Sequence, residues 1–388
     1  MTLKLDTPED LEQYRKSLED LVLNELDPLA EEIERTDFIP DPDPIHVKLQ
    51  ERELFKLPMP KDCGGYGLTF SQWIRIVETG AKGHGWIRTM FHGPSAVWRS
   101  IHLFGTEEQK KKWMPLALQG IYRGFALTEP EGGSGLDIDT TAVRKGDNYV
   151  INGRKHLISK AVTSSPNSWL ATDVVARTGD KSLKEKSISI IIVDWDTPGF
   201  NVVPMPKTMG YHKVNTLTFN DCVAPVRNLI GEEGQGYYIA LRSFMDLFRL
   251  STVACTIGSC QRLLELSLAY TKKRITFGKP IAQRQIIQQM IADMAIDVHA
   301  ARLILADAAR NYDEGKLKPS DSGMAKAFAV DASARVSDKA ILIHGGVGYT
   351  KLYPVERIYR DIRSLWFEEG TPTIQRMMVA RELLQSGS

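Results

Sequence analysis

The sequence predicts an α+β protein of three domains: an N-terminal all-α domain, a middle antiparallel β-barrel domain and a C-terminal four-helix bundle. Apolar residues repeat at helical spacing through the first and last thirds of the chain. Between them, short strand-like runs alternate with Gly, Pro and Asn turns, a pattern typical of a small antiparallel barrel. A length of 388 residues is enough for two or three domains with a large core.

Composition excludes several classes of protein. Hydrophobic residues make up 43% of the chain and charged residues 25%, which is ordinary for a globular protein. The net charge of +1 gives no electrostatic case for binding nucleic acid or an anionic membrane, and no apolar run is long enough to span a bilayer. The four cysteines and eight histidines lack metal-ligand spacing, so we expect no metal. The first six residues lack signal and transit features, which predicts a cytoplasmic protein.

The N-terminal domain is predicted to cover residues 1–120. Its first helix follows a cap at Thr7, because Pro8 suits the first helical position, where a missing N–H costs nothing. Glycine clusters at 64–67 and 83–85 then separate the next elements. Helical spacing predicts further helices over residues 69–81, 86–103 and 106–118.

The middle domain is predicted to cover residues 121–233. Its strand candidates are short apolar or alternating runs over residues 124–129, 140–144, 149–152, 155–159, 169–177, 187–194 and 216–219. The turns Lys145–Asn148 and Asn152-Gly153 are strong hairpin signals. Regular short strands joined in this way favour a barrel or a sandwich.

The C-terminal domain is predicted to cover residues 234–388. Its helices are expected over residues 237–272, 286–312, 321 or 322 to 344, 354–362 and 372–384. Long helices joined by short loops predict a mostly antiparallel four-helix bundle. The glycine run after His344 follows a helix and not a strand, so it is a helix stop and not a dinucleotide fingerprint.

Two adjacent carboxylates, Glu368 and Glu369, are the strongest chemical signal in the chain. They follow the apolar residues 365–367 and precede Gly370 and a helix that Thr371 can cap. In a dry pocket such a carboxylate loses solvation, its pKa rises and it becomes a better base. The alternative is a pair of solvated loop acids.

Two other segments could bind a ligand. In the Gly-rich turn 128–134, the hydroxyls of Thr128 and Ser134 and nearby N–H groups suit an anion or a flat ring. In the loop 274–280, Arg274 and Phe277 suit a phosphate with an adjoining aromatic ring. The alternatives are an ordinary surface turn and an ordinary interhelical turn.

Five motifs, in order and in register, resemble those of the acyl-CoA dehydrogenase family. They are residues 127–134, residues 152–159, residues 274–279 with Gln285, residues 345–349 and residues 369–371. The resemblance implies FAD held between the β-domain and the bundle, with an acyl-CoA thioester threaded past it. It also implies a homotetramer built as a dimer of dimers, and an electron-transfer flavoprotein or similar acceptor as partner.

The resemblance also implies roles for individual residues. Glu369 matches the base that removes the proton next to the thioester carbonyl, while hydride leaves the next carbon for flavin N5. Some relatives carry the base on the first bundle helix before an arginine; here Phe248 precedes Arg249, so that alternative base is absent. The implied FAD contacts are Leu127, Thr128, Ser134, Ile158, Ser159, Arg274, Phe277, Gln285, Gly345, Gly346, Thr371 and Thr373. The implied CoA or substrate contacts are Ser134, Asp246 and Arg249.

Several positions depart from the family pattern. Leu157 stands where a tryptophan is common, Leu342 where a glutamine is common, and Glu368 where an aromatic residue is common. Glu368 either raises the pKa of Glu369 by repulsion or points into solvent, and we expect the second.

Arg88 is a further candidate, because it lies near the region that lines the family's acyl pocket. It either pairs with a distal carboxylate of the acyl group or is an ordinary surface arginine, and surface exposure is the default expectation for a long basic side chain. The neighbouring Met90 and Phe91 are expected in the core.

Two rival functions share this pattern. One is a flavin-dependent monooxygenase or oxidase of the same fold, and the presence of Glu369 before Gly370-Thr371 argues against it. The other is a catalytically silent binding protein, and the retained Ser134 and Arg274 argue against that.

Overall fold

The computed structural model of the protein describes residues 3, 5, 7–132, 136–159, 170–211 and 213–386. A helical N-terminal part, a seven-stranded sheet and a helical C-terminal part follow one another along the chain, which confirms the predicted fold class. Within these residues, no helix has both the length and the apolar character that a bilayer crossing needs.

The N-terminal helices are α1 Pro8–Leu21, α2 Asp27–Thr36, α3 Pro44–Glu51, α4 Phe70–Gly80, α5 Gly85–His92, α6 Arg99–Phe104 and α7 Glu107–Ala117. Capping boxes at Thr7, Thr69 and Thr106 start α1, α4 and α7, because each hydroxyl accepts from an otherwise unpaired N–H. The single helix predicted over 86–103 is wrong. Gly93-Pro94 interrupts it, and the chain continues as a short 3₁₀ turn before α6.

The strands of the middle part are β1 Gly124–Ala126, β2 Thr141–Lys145, β3 Asn148–Ser159, β4 Ala171–Arg177, β5 Ile188–Asp194, β6 Phe200–Pro204 and β7 Val214–Pro225. They form one sheet in the order β1-β4-β2-β3-β7-β6, with β5 paired to β4. Most pairs are antiparallel as predicted, but β4 pairs in parallel with β1 and touches β2 in parallel. Strand β6 was not predicted from the sequence.

The predicted hairpin turn at Asn152-Gly153 is wrong, because β3 runs straight through it. The register of β3 against β7 shifts at this point, which marks a bulge. Gly153 has a φ of 149°, and a side chain there would meet Thr140 Oγ1 at 2.5 Å. The glycine therefore permits close approach of β2 and does not reverse the chain.

The C-terminal helices are α8 Gly236–Ala240, α9 Asp246–Lys273, α10 Gln285–Asp313, α11 Pro319–His344, α12 Val355–Ser364 and α13 Pro372–Ser386; a two-stranded ribbon, β8 Ile275–Thr276 and β9 Lys279–Pro280, joins α9 to α10. Helix α11 is central, since it packs against α9, α10 and α13. Helix α4 packs against α9, so the N-terminal helices and the bundle share one hydrophobic core, and Met90 and Phe91 belong to it as expected.

One buried carboxylate joins all three parts of the chain. Asp361 on α12 accepts the N–H of Gly85 at 3.1 Å, where α5 begins. Its other oxygen accepts the N–H of Tyr211 at 2.9 Å, in the segment between β6 and β7. Buried N–H groups are costly to leave unpaired, so this carboxylate fixes the helical parts against the sheet.

Replacing Asp361 is expected to destabilise the whole fold. Asp361→Ala should lower the free energy of unfolding by about 2–5 kcal/mol, because each buried N–H left unsatisfied costs about 1–3 kcal/mol. Urea denaturation followed by circular dichroism measures the change. Asp338→Ala, at an exposed position on α11, is the control and should shift stability by less than about 0.5 kcal/mol. Equal denaturation midpoints for the two variants would contradict this role.

Candidate active site

The Glu369-Gly370 turn is held in an unusual backbone conformation. Glu369 has a φ of 56° and Gly370 a φ of 93°, so both residues lie in the left-handed region. A non-glycine residue there is strained unless its surroundings hold it. Helix α13 begins directly afterwards at Pro372, so the turn presents the Glu369 side chain just before a helix N-terminus.

Three side chains from three helices hold the two carbonyl groups of this turn. Arg249 Nε on α9 donates to the Glu369 carbonyl at 3.3 Å, and Gln375 Nε2 on α13 donates to the same oxygen at 2.9 Å. Lys326 Nζ on α11 donates to the Gly370 carbonyl at 2.6 Å. The conformation of Glu369 is therefore fixed by the packing of the bundle.

Asp246 fixes the arginine in this set. Its Oδ1 accepts from Arg249 Nη1 at 2.7 Å and from the Ser322 hydroxyl at 2.8 Å. Helices α9 and α11 thus meet through a polar network next to the turn. The structure brings together Asp246, Arg249 and Glu369, which the sequence had assigned to one site.

Burial dominates the electrostatics of Glu369. Loss of solvation raises the pKa of its carboxyl group to about 7, against the opposing pull of Lys326 and Arg249, and Glu368 adds a smaller upward push. Burial also lowers the pKa of Lys326, while Glu369 and Glu368 oppose that change. A carboxylate with a pKa near neutrality is well matched to proton transfer at physiological pH.

The expectation that Glu368 points into solvent is wrong, and so is the alternative that Arg88 is an ordinary surface arginine. The two side chains form an ion pair, with Arg88 Nη2 at 3.2 Å from Glu368 Oε1 and Nη1 at 3.3 Å from Oε2. The Ser364 hydroxyl donates to Glu368 Oε1 at 2.9 Å. Arg88 is only 3% exposed. Burial disfavours its charge, but the surrounding groups, Glu368 first among them, together raise the pKa of Arg88 above its usual value. Glu368 therefore points inward, and Arg88 is not a surface residue.

A second cluster lies where β1 meets β3. Lys155 Nζ donates to the Leu127 carbonyl at 3.0 Å and to Glu129 Oε1 at 2.8 Å. The N–H of His156 donates to the Thr128 carbonyl at 2.8 Å. These bonds tie the segment after β1 to the middle of β3. The buried Glu129–Lys155 pair was not identified from the sequence, although Glu129 lies within the first motif and could have been noticed there.

The same part of β3 carries the next predicted residues. Ile158 is buried and pairs with Asn215 of β7, and Ser159 pairs with Val214. Leu157 between them has a φ of 57° and is 51% exposed, at a second shift of register. The structure therefore gathers Leu127, Thr128, Ile158 and Ser159 in one region. Ser134 lies outside the described residues.

A third cluster is exposed at the far end of the bundle. Arg274 follows the last residue of α9, Phe277 is 96% exposed, and Gln285 begins α10. Gly345 and Gly346 follow α11 beside them, since Tyr270 of α9 stacks on His344 at 4.3 Å between ring centres. Arg284, not identified from the sequence, donates to the Thr276 carbonyl at 2.7 Å and lies 5.2 Å from the Phe277 ring centre.

This third cluster and the Glu369 turn lie at opposite ends of α9. Arg249 is close to the start of this 28-residue helix, and Arg274 follows its end. At about 1.5 Å per residue, the helix is on the order of 40 Å long. One chain therefore does not bring Arg274, Phe277, Gln285, Gly345 or Gly346 to Glu369. Thr371 and Thr373, in contrast, lie beside the turn at the exposed start of α13.

Comparison with known proteins identifies the family. The acyl-CoA dehydrogenase N-terminal, middle and C-terminal domain models match residues 8–121, 124–222 and 234–384. Acryloyl-CoA reductase (NADH) of Anaerotignum propionicum is 37% identical over 371 residues, which cover 93% of this chain and 91% of that protein. An acyl-CoA dehydrogenase of Bacillus subtilis (strain 168) is 34% identical over 375 residues, 95% of this chain and 97% of that protein.

Solved structures agree with the family models. Butyryl-CoA dehydrogenase from Megasphaera elsdenii superposes with a TM-score of 0.89 at 30% identity, covering 98% of this chain and 100% of that chain. The fold and the site define a flavoprotein oxidoreductase that acts on CH–CH bonds. The chain belongs to the acyl-CoA dehydrogenase family.

Proposed function

We propose that this protein is an FAD-dependent acyl-CoA dehydrogenase that converts an acyl-CoA thioester to the 2-enoyl-CoA. The observation that carries the proposal is the Glu369 carboxylate: it is desolvated, its pKa is raised to about 7, and its backbone is held by Arg249, Lys326 and Gln375. Such a group suits removal of a weakly acidic proton next to a thioester carbonyl. The family's own cofactor is FAD.

The described residues fit this cofactor. Along β3, Leu157 is half exposed in a left-handed bulge, and the buried Glu129–Lys155 pair fixes the adjoining Leu127-Thr128 segment; together they offer a rigid apolar and backbone surface for a flat ring. We assign the flavin-ring contacts to Leu127, Thr128, Ile158 and Ser159, with Thr371 and Thr373 nearby and Ser134 as a shared cofactor and substrate contact. When bound, FAD supplies the acceptor for the hydride that leaves the β-carbon of the substrate.

Glu369 performs the proton step. Its ionised carboxylate takes the α-proton; the C–H bond breaks, an O–H bond forms, and the electron pair stays on the substrate. The reaction needs the deprotonated acid, so the rate of this step rises with pH through the pKa of Glu369 and levels off above it. Asp246 and Arg249 are proposed to contact the CoA part of the substrate while they hold the turn.

The distance between clusters supports assembly from several copies of the chain. Arg274, Phe277, Gln285, Gly345 and Gly346 present a cation, an exposed ring and open backbone about 30–40 Å from their own Glu369, judged by the rise of α9 and α11. We propose that they bind the phosphate and adenosine parts of FAD in a neighbouring subunit of a homotetramer. An electron-transfer flavoprotein or a similar acceptor is the proposed redox partner, and the cytoplasm the proposed location.

The Arg88–Glu368 pair bears on the choice of acyl group. Glu368 directly precedes the base, and both of its oxygens are occupied by Arg88. The guanidinium charge is therefore already balanced, and a distal carboxylate on the substrate would meet Glu368 as a like charge. We propose that Arg88 contributes to the acyl site as half of a neutral pair, which favours acyl groups without a distal carboxylate.

Flavin reduction tests the function. Wild-type protein is mixed anaerobically with a panel of saturated acyl-CoA thioesters, and oxidised-flavin absorbance is followed by stopped flow. We expect at least one thioester to bleach the flavin. Glu369→Gln should retain FAD and bind the same thioester but reduce the flavin roughly 10²–10⁴-fold more slowly, the range for a positioned acid–base group.

Three results would contradict that expectation in different ways. Unchanged reduction in Glu369→Gln would remove this residue from the role of base. A bound flavin that no thioester bleaches would favour the monooxygenase or oxidase. A purified protein that binds no FAD when supplied with it would favour a silent binding protein.

Substrate selectivity tests the Arg88–Glu368 pair. Glu368→Gln removes the charge that balances Arg88, so kcat/KM for glutaryl-CoA relative to butyryl-CoA should rise about 10–100-fold, as expected for a charged hydrogen bond of about 1.5–3 kcal/mol. The ratio is the measured quantity because any change in the pKa of Glu369 affects both substrates alike. The double variant Arg88→Met, Glu368→Gln is the control and should lose the gain. An unchanged ratio in Glu368→Gln would rule out this contribution to selectivity.

A further inference from the structure

Lys326 is a buried cation whose surroundings differ from those of the other buried lysines. Its side chain is 0% exposed, on the face of α11 that meets the Glu369 turn. Lys155 is equally buried but pairs with Glu129 at 2.8 Å, and Lys82 pairs with Glu19 and Glu265 at 2.7 Å each. Lys326 Nζ instead donates to a carbonyl, that of Gly370 at 2.6 Å. Among the described residues, no carboxylate oxygen lies within ion-pair distance of it.

Burying a charge without a partner in contact is costly, so a lysine at such a position calls for a reason. The charged groups that face Lys326 are few. Glu369 and Glu368, on the loop before α13, attract it, and Arg249 on α9 repels it. Helix α13 contributes the neutral amide of Gln375, which also bonds the Gly370 carbonyl at 3.3 Å. The strongest attraction on Lys326 therefore comes from the carboxylate of the base itself.

We propose that Lys326 is a positioning residue for Glu369: it fixes the left-handed turn through the Gly370 carbonyl and serves as the fixed counter-charge that keeps the Glu369 carboxylate ionised before it takes the proton. The inference rests on the proposed function of Glu369 as base. Arg249 is already neutralised by Asp246 at 2.7 Å, so it offers Glu369 less charge than Lys326 does.

The charge balance of the reaction fits this role. Before proton transfer, Lys326 and Glu369 together are neutral. When Glu369 takes the α-proton, its negative charge passes to the thioester in the same closed site, so the lysine still faces one negative charge. A fixed cation there acts without reorganising during the step, which is how preorganised electrostatic stabilisation works.

The effect of Lys326 is measured with variants that separate its charge from its hydrogen bond. Lys326→Gln keeps a donor for the Gly370 carbonyl but removes the charge, and Lys326→Arg keeps the charge. Lys339→Met on the same helix is the control, since Lys339 lies near Asp293 at 3.7 Å and away from the turn. Two readouts are taken for each holoenzyme: the pH profile of flavin reduction by the best thioester, and an infrared titration of the carboxyl band that is absent in Glu369→Gln.

We expect the pKa of Glu369 to rise by about one unit or more in Lys326→Gln, since loss of an opposite charge at this range shifts a pKa by about 1–3 units. The pKa obtained from each readout should move upward by the same amount. For a one-unit shift the rate at pH 7 should fall by about 5-fold, because the ionised fraction of Glu369 falls from about one half to about one eleventh. Lys326→Arg and Lys339→Met should titrate close to the wild type. Should the Gln variant not fold, Lys326→Met, which buries no polar group, is expected to give the same upward shift.

An unchanged pKa in the neutral variant, or the same shift in Lys326→Arg, would overturn the proposal. With two readouts, failure of this inference can be distinguished from failure of the proposed function. If no thioester reduces the wild-type flavin, the dehydrogenase function fails, while the infrared titration still decides whether Lys326 sets the ionisation of Glu369.

Discussion

The structure of the site depends on the hydrogen bonds that hold two carbonyl groups in a left-handed turn. Arg249, Lys326 and Gln375 come from α9, α11 and α13, and each donates to the backbone of Glu369 or Gly370. The turn keeps its strained φ values only where these helices are packed. The large bundle core is thus the means by which one carboxylate is placed.

Buried charges elsewhere in the fold follow a common rule. Arg123 pairs with Asp173 at 2.6 Å, Lys155 with Glu129 at 2.8 Å, and Arg88 with Glu368 at 3.2 Å. Each pair is neutral and ties two segments of the chain together. Against this background, Glu369 and Lys326 are distinct: among the residues that the structure describes, neither has an oppositely charged group within ion-pair distance. The charges of Glu369 and Lys326 can therefore act on each other and on a bound substrate, as expected where a site needs a perturbed pKa.

Local signals let the sequence predict most of the fold. The Thr7 cap with Pro8 placed the start of α1, and the glycine run after His344 placed the end of α11. Helical spacing predicted α4 and α7. The sequence-based prediction failed where a glycine could serve either a tight turn or a close contact between strands. Asn152-Gly153 has the chemistry of a tight turn, yet Gly153 serves close strand contact, which only the position of Thr140 reveals.

The site could be predicted only in part, for a related reason. Glu369 stood out because it sits in a recognisable motif, while Asp246 and Arg249 were implied by the family resemblance. The Arg88–Glu368 pair joins residues 280 positions apart, and Lys326 lies within an ordinary helical pattern, so neither gives a local signal. Side-chain contacts between distant segments follow from packing and are not encoded in spacing along the chain.

Exchange of the α-protons of a bound thioester with deuterated water tests the role of Glu369 most directly. A CoA thioester whose β-carbon is replaced by sulfur can lose its α-proton but has no hydride to transfer, so exchange isolates the base from the redox step. The account predicts enzyme-dependent deuterium incorporation by the wild-type holoenzyme, seen by mass spectrometry, and loss of it in Glu369→Gln. Equal exchange in both proteins would contradict the account, because the base would then be another group.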